Sequence, residues 1–167
     1  LKSPLMKTTL SILVLFIFHC QWIAAQCPTG DLHFSTQEQI DSFPFNYPGC
    51  TQILGDVTIN GSFPWAIFNL DSLSQINSIS GSLGVYGNDA LMSLSGLDNL
   101  TSIGGDLGLG SNATMTSLGG LENLNSIGGN LGLGYNPALT SLSGLDNLAS
   151  IGGVFSVSQS AVLTSLN

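Results

Sequence analysis

Few side chains in this chain could carry acid–base, nucleophilic or metal chemistry. After residue 25 the sequence holds one histidine, His33, two cysteines, Cys27 and Cys50, and ten carboxylates. A Ser-His-Asp triad would have to recruit His33, and a pair of carboxylates could act as acid and base. No insertion that would form a cleft interrupts the regular sequence that follows. These observations predict that the protein is not an enzyme and binds no cofactor.

The two cysteines favour a disulfide. An even pair in an exported chain is typical of an oxidised bridge, and this one would close a loop of about 24 residues, worth about 3 kcal/mol. The alternative is a catalytic or metal-binding thiol, for which His33 would be the histidine partner. We predict a structural bridge between Cys27 and Cys50 and no metal site.

A column of carboxylates is the remaining pattern that could hold a cation. Asp98, Glu122 and Asp146 recur at a regular 24-residue spacing. Stacked about 5 Å apart, they would repel one another, and either Ca²⁺ or screening by water would relieve the repulsion. The simpler interpretation is a solvated acidic surface, and the Ca²⁺ interpretation stays open beside it.

Three Asn-x-Ser/Thr motifs match the acceptors of N-linked glycans. They begin at Asn60, Asn99 and Asn112. The repeat frame described below turns the third of them inward, so that match is interpreted as accidental.

Composition predicts a folded, acidic, secreted domain. The chain has 167 residues, room for one domain, and its hydrophobic content of 43% is enough for a core. Charged residues make up 7%, against about 25% in ordinary proteins. Lys2 and Lys7 are the only Lys or Arg residues, and all ten carboxylates follow residue 25. The chain after residue 25 therefore has a net charge of −10. This excludes binding of nucleic acid or anionic lipid through a basic patch.

Residues 1–25 are expected to be upstream residues followed by a signal peptide. Lys7 supplies the positive start, and the apolar run from Leu10 to Phe18 is shorter than the roughly 20 residues that span a bilayer. Ala24 and Ala25 are the small residues that precede a cleavage site. Cys20 lacks the small residues before it that a lipoprotein needs. We expect a secreted or extracellular protein that is attached, in one interpretation, to the outer cell surface, with no membrane insertion of the mature chain.

A 24-residue repeat dominates the rest of the chain. "GLDNLTSIGGDLGLG" from Gly96 returns as "GLENLNSIGGNLGLG" from Gly120. Alternating leucines predict one short parallel strand per coil, five strands in one sheet, with a 26-residue first step. The apolar residues between strands recur every third position, which suits 3₁₀-like turns. An isolated coil cannot offset its chain entropy, so only a stack is stable.

Equivalent positions follow from this frame. The inward strand pairs are Leu83 and Val85, Leu107 and Leu109, Leu131 and Leu133, and Phe155 and Val157. The period-three positions of one coil are Met115, Leu118, Leu121, Leu124 and Ile127. An inward structural ladder of amides is predicted at Asn88, Asn112 and Asn136.

Residues 26–54 are expected to cap the N-terminal end of the stack. "DLHF" predicts a short strand, and "STQEQIDSF" predicts a helix with Ser35 as N-cap and Glu38 completing a capping box. Pro44 is expected to end that helix. The apolar face over the core would consist of Ile40, Phe43 and Phe45.

The tract from "CTQILGDVTING" onward, with "GxLxL" strands and "LxxLxxLxxI" turns, resembles the receptor L-domain family. The opening from Cys27 is similar to the start of such domains in secreted Gram-negative bacterial surface proteins. The resemblance implies a leucine-rich-repeat-like, right-handed β-solenoid over residues 55–167. Leu163 and Leu166 begin another turn, so we expect a fragment truncated at the C-terminus, with an anchor or sorting tail in the missing region.

The outward strand positions predict a flat, weakly acidic face. Its candidate ligand-binding residues are Tyr86, Asp106, Asn130 and Tyr135. The predicted function is recognition or adhesion, with an extracellular protein or glycan as partner. A purely structural spacer in a larger surface protein is the alternative.

Ice binding is a further hypothesis. Thr116, Thr140 and Thr164 form a hydroxyl column, but Phe68 and Met92 occupy the two preceding positions. Those two apolar residues are expected to pack under "FPWAIF" and the cap.

Overall fold

The computed structural model describes residues 27–61 and 66–160. The predicted signal peptide and the turn that begins at Leu163 lie outside these residues. The described part contains one α-helix, α1 (Gln37–Asn46), and a single 3₁₀ turn, Asp71–Leu73, among short strands. None of its helices is long and apolar enough to cross a membrane.

Eleven short strands form two parallel sheets in the described residues, where the sequence predicted one sheet of five strands. The first sheet has the order β1 (Leu32–Phe34), β3 (Val57–Ile59), β5 (Leu83–Tyr86), β7 (Leu107–Gly110), β9 (Leu131–Gly134) and β11 (Phe155–Ser158). The second sheet consists of β2 (Gln52–Ile53), β4 (Ser78–Ile79), β6 (Ser102–Ile103), β8 (Ser126–Ile127) and β10 (Ser150–Ile151). Each repeat therefore contributes a strand to both sheets.

The strand registers follow the repeat. Leu107 pairs with Leu131, its equivalent in the next repeat, while Val57 pairs with Leu83, which confirms the longer first step. The added strand β1 pairs with β3, so the first sheet has six strands instead of five. Every 24-residue repeat thus lies directly over its neighbour.

The period of three produces turns that point their apolar residues inward. The Leu121 N–H donates to the Leu118 carbonyl at 3.2 Å, and the Leu124 N–H donates to the Leu121 carbonyl at 2.9 Å. A donor three residues after its acceptor is the 3₁₀ pattern. Leu118, Leu121 and Leu124 are fully buried, so this part of the predicted frame is confirmed.

The helix of the N-terminal segment begins one residue later than predicted. Thr36 is the N-cap, and the Gln39 side chain completes the capping box in place of the predicted Ser35 and Glu38. The helix also continues through Pro44, because a proline this close to the C-terminal end removes only a late backbone hydrogen bond. Phe43 is buried and packs edge-on against Phe34 at 5.8 Å.

Three predicted packing positions are wrong. Phe45 is 88% exposed and does not cover the core, unlike Ile40, which is buried. Phe68 and Met92 are also exposed, at 57% and 63%, and do not pack beneath the cap. Their place in the repeat is the one that Thr116 and Thr140 occupy on the outer surface.

The inward side chains of the last described strand, β11, are exposed to solvent. Phe155 and Val157 are 42% and 38% exposed, although the equivalent Leu131 and Leu133 are buried. Strand β11 pairs only with β9 among the described strands, so nothing described lies over its other side.

We expect Leu121→Ala to lower the free energy of unfolding by about 2–5 kcal/mol, because a fully buried side chain between two repeats leaves a cavity. Thr116→Ala, on the exposed surface of the same repeat, should change it by no more than about 0.5 kcal/mol. Urea unfolding followed by circular dichroism measures both. Equal losses would contradict the inward and outward assignment.

Candidate functional site

A ladder of buried asparagines runs through the stack at the carboxyl ends of the first-sheet strands. Asn88, Asn112 and Asn136 are fully buried. The Asn112 Oδ1 accepts the backbone N–H of Asn88 at 3.1 Å, and its Nδ2 donates to the Val85 carbonyl at 3.0 Å. Among the described residues no buried side-chain polar atom lacks a hydrogen-bond partner. The ladder is therefore a satisfied structural element with no free group for a ligand.

The first rung of the ladder reaches the preceding repeat. The Asn88 Oδ1 accepts the backbone N–H of Gly61 at 2.8 Å, and its Nδ2 donates to the Ile59 carbonyl at 3.0 Å. The Asn136 Nδ2 likewise donates to the Leu109 carbonyl at 3.0 Å. Each side chain thereby ties two repeats together.

A second column, which we name the corner column, stands where the chain enters the first sheet. Its members are Asp31, Asp56, Ser82, Asp106 and Asn130. Each side-chain oxygen accepts a backbone N–H from the next repeat. The Asp106 Oδ1, for example, accepts the N–H of Asn130 at 2.6 Å, and the Asn130 Oδ1 accepts that of Val154 at 2.8 Å.

The corner column changes the interpretation of two predicted ligand residues. Asp106 and Asn130 are exposed, as expected of an outward face, but their side-chain oxygens already bind the backbone. Their hydrogen bonds hold the repeats together at the corner, which leaves Tyr86 and Tyr135 as the remaining candidates from the sequence.

The carboxylate column is likewise engaged within its own turns. Asp98 and Glu122 each accept the N–H of the glycine two residues earlier, both at 2.8 Å, and Asp146 does so at 3.1 Å. In the ranges that the structure describes, no group of three or more His, Cys, Asp and Glu side chains could hold a metal ion. The geometry therefore assigns these carboxylates to the capping of turns.

The predicted disulfide between Cys27 and Cys50 is present, with Cα atoms 5.0 Å apart. It links the first described residue to Cys50, two residues before β2. Cys50 is fully buried beside the core. The bridge thus fastens the segment that carries α1 to the first repeat.

Glycines line the outer face of the first sheet. We name the surface formed by Gly84, Gly108, Gly110 and Gly132 the glycine floor. A side chain at Gly84 or Gly108 would collide with the Tyr86 ring, and a Cβ at Gly110 would lie 3.1 Å from its Cδ1. The ring therefore lies flat across two strands, with 42% of the residue exposed. The next floor glycine, Gly132, is open, since a Cβ there would meet nothing nearer than the Ser156 Oγ at 3.8 Å.

Tyr135 stands just past β9 with a left-handed backbone. Its φ is 56°, and the equivalent residues of the other repeats, Gly87, Ser111 and Gln159, have φ of 65°, 56° and 50°. The positive φ thus recurs in the turns that follow β5, β7, β9 and β11. At Tyr135 this turn presents an aromatic side chain that is 60% exposed.

A column of exposed asparagines was missed at the sequence level. The side chains of Asn99, Asn123 and Asn147 each donate to a backbone carbonyl of the preceding repeat, at 2.8, 2.6 and 2.7 Å. Their 24-residue spacing was the available signal, within the recurring "DNL" and "ENL" of the motif.

Comparison with known families supports the resemblance drawn from the repeats. Residues 49–118 match the Receptor L domain. The matched range runs from just before the buried Cys50 to Leu118 and includes strands of both sheets. No curated protein and no solved structure matches the chain.

Proposed function

We propose that this chain, whose residues 49–118 match the Receptor L domain, is an extracellular recognition module. Its ligand-binding face is the outer face of the first sheet, and its partner is an extracellular protein or glycan. The proposal includes export by residues 1–25, an N-terminal cap over residues 26–54 and a right-handed, leucine-rich-repeat-like solenoid from residue 55 onward. It also assigns no catalytic step to the chain.

The observation that carries the proposal is the Tyr86 ring lying on a glycine floor. From β3 to β11 the outward side chains of the first sheet are uncharged, as read along Thr58, Gly84, Gly108, Gly132 and Ser156. Glycine lets a partner approach the backbone closely, and the exposed tyrosine offers apolar area together with a hydroxyl. Tyrosine is among the residues that dominate binding energy in interfaces.

The two tyrosines differ in how firmly they are held. Tyr86 is supported from below by Gly84 and Gly108, so little side-chain entropy remains to be lost on binding. Tyr135 occupies a turn position with positive φ, which costs a non-glycine residue of order 1 kcal/mol, and glycine fills the equivalent position at residue 87. Ser111 and Gln159 have a similar positive φ, so the feature of Tyr135 that supports recognition is its exposed aromatic ring.

The hydroxyl column offers less support for ice binding. The Thr116 Oγ1 donates to the Met92 carbonyl at 3.5 Å, and the Thr140 Oγ1 donates to the Thr116 carbonyl at 3.3 Å. These hydroxyl hydrogens are directed along the stack toward the backbone, and Thr164 lies outside the described residues. The column therefore resembles the other structural columns of this fold.

The test of the proposed function uses substitutions that alter the outer face of the first sheet and leave the fold intact. The exported protein is screened on an array of neutral glycans and against a display library of extracellular protein domains. We expect Gly132→Phe, which fills the open floor, and Tyr86→Ala to weaken any captured ligand by at least about tenfold. Surface plasmon resonance measures the affinities.

Gly119→Phe is the matched control, because a Cβ there meets only ordinary contacts at 3.4 Å and lies on the turn that carries Glu122. This variant should bind within about twofold of the unchanged protein. If nothing binds from the array or the library, the spacer interpretation is favoured over recognition. If all three variants weaken a captured ligand equally, the outer face of the first sheet is not its binding face.

A further inference from the structure

The three glycan-acceptor motifs occupy very different environments in the folded chain. Asn99 and Asn60 are exposed, and Asn112 is fully buried. We propose that Asn99 carries an N-linked glycan and that Asn112 does not. This inference rests on the proposed export of the chain, through a secretory pathway that supplies the glycan donor.

The Asn99 side-chain amide uses only one of its two hydrogens in a hydrogen bond. Its Nδ2 donates one hydrogen to the Ser74 carbonyl at 2.8 Å. An asparagine amide has two hydrogens, and the second has no partner among the described residues. A sugar attached to Nδ2 replaces that second hydrogen and leaves the bond to Ser74 in place. The modification therefore requires no rearrangement of the repeat.

The rest of the motif is also placed on the surface. Thr101 is exposed, and its Oγ1 donates to the Asn77 carbonyl at 2.9 Å. Leu100, between them, is buried and anchors the segment to the core. All three motif residues are described, whereas the Ser62 of the motif at Asn60 lies outside the described residues, so the proposal is confined to Asn99.

Asn112 offers no such opening. Its Nδ2 donates to the Val85 carbonyl at 3.0 Å and to the Asn136 Oδ1 at 3.4 Å, which uses both amide hydrogens. The side chain has no exposed surface. A glycan there would break the buried ladder and could not be enclosed, so a chain modified at this position would not fold.

The transfer step needs a donor that the compartment supplies, a lipid-pyrophosphoryl oligosaccharide. The bond between Asn99 Nδ2 and the first sugar carbon forms as the bond from that carbon to the pyrophosphate oxygen breaks. The amide nitrogen loses one proton, and the lipid pyrophosphate leaves. No oxidation or reduction takes place.

The position of the glycan is compatible with ligand binding. Asn99 lies on the turn just before β6 of the second sheet, in a column with Asn123 and Asn147, and not on the glycine floor of the first sheet. A glycan at this turn therefore leaves the proposed recognition face uncovered.

The neighbouring repeat provides a matched gain-of-function test. Asn123 donates to the Asp98 carbonyl as Asn99 does to Ser74, but residue 125 is asparagine and the motif is incomplete. Asn125→Thr completes it with the residue that the equivalent position 101 already holds. If the local geometry permits glycosylation, this single change adds a second glycan at Asn123.

The experiment uses the full chain with Asn60→Gln, secreted from cultured insect cells. One version keeps its own residues 1–25, and a second has a leader of established activity in their place. Glycosidase-dependent mobility and glycopeptide mass spectrometry report each site. We expect one glycan, on Asn99, that is lost in Asn99→Gln, and a second glycan in Asn125→Thr.

The outcomes separate the two proposals. Secretion only behind the established leader, with Asn99 modified, would overturn export by residues 1–25 while supporting the glycan site. A secreted chain with Asn99 unmodified would overturn the glycan site at Asn99. A glycan on Asn112 in folded protein would overturn the exclusion of Asn112. If Asn99 is unmodified and Asn123 also stays unmodified in Asn125→Thr, the column of Asn99, Asn123 and Asn147 is excluded as a set of glycan acceptors.

Discussion

Replacing Gly120 with alanine is expected to destabilise the fold by about 2–6 kcal/mol. The residue has a φ of 106°, where a side chain adds strain of about 1–3 kcal/mol. Its Cβ would also collide with the backbone carbonyl of Leu94 in the preceding repeat, and overpacking of this kind costs about 1–3 kcal/mol more. Because the obstacle is backbone, no rotamer change relieves it. Urea unfolding should show an earlier midpoint with an unchanged slope.

The residue immediately before it supplies the control. Gly119 does not have a positive φ, and a Cβ there would lie 3.4 Å from the Ser117 Oγ, an ordinary contact. Gly119→Ala should therefore change the free energy of unfolding by no more than about 0.5 kcal/mol. If both alanines were tolerated equally, the close stacking of Gly120 on Leu94 would be wrong.

Asn112→Ala is the second substitution with a large expected effect. It removes the acceptor for the Asn88 backbone N–H and the donor to the Val85 carbonyl, both buried. Each orphaned buried group costs about 1–3 kcal/mol, so the free energy of unfolding should fall by about 2–6 kcal/mol. Hydrogen exchange should show the amide of Asn88 losing its protection first.

Asn123→Ala tests the same residue type on the outside of the repeat. Its side chain makes one exposed hydrogen bond, to the Asp98 carbonyl, and water can replace that bond. We expect a loss of no more than about 1 kcal/mol. A cost similar to that of Asn112→Ala would mean that the buried position of the ladder does not matter.

The strongest sequence patterns were those that repetition made visible. Leucines at every third position predicted the buried residues, because a turn of three residues returns each of them to the same side. The 24-residue recurrence of Asn88, Asn112 and Asn136 predicted an inward column, and all three are buried. A pattern that must hold in every repeat can be recognised from the spacing of residue types alone.

The second sheet could not be predicted in the same way. Its strands are two residues long, such as Ser102–Ile103, and two residues are too few to show the alternation that reveals a strand. Only the hydrogen bonds between repeats distinguish them, as when the Gly104 N–H donates to the Ile79 carbonyl at 2.8 Å. These contacts join residues about one repeat apart and leave no local signature.

The candidate site was harder to predict because an exposed polar residue can bind either the protein itself or a partner. Asp106 alternates outward from the core as a ligand-binding residue would, yet its carboxylate accepts the N–H of Asn130. The support of Tyr86 by Gly108 also depends on which strands are neighbours. The Asp106 hydrogen bond and the Tyr86 contact both depend on the register between repeats, which composition does not reveal.

The first rung of the asparagine ladder also governs how the protein ages chemically. Asn60 precedes Gly61, and such a pair deamidates when the glycine nitrogen attacks the side-chain carbonyl, closing a cyclic imide and releasing ammonia. Here the Gly61 N–H is bound to the Asn88 Oδ1 at 2.8 Å, and Gly61 is buried. The nitrogen is therefore withheld from the reaction, and isoaspartate accumulates only as fast as this rung opens.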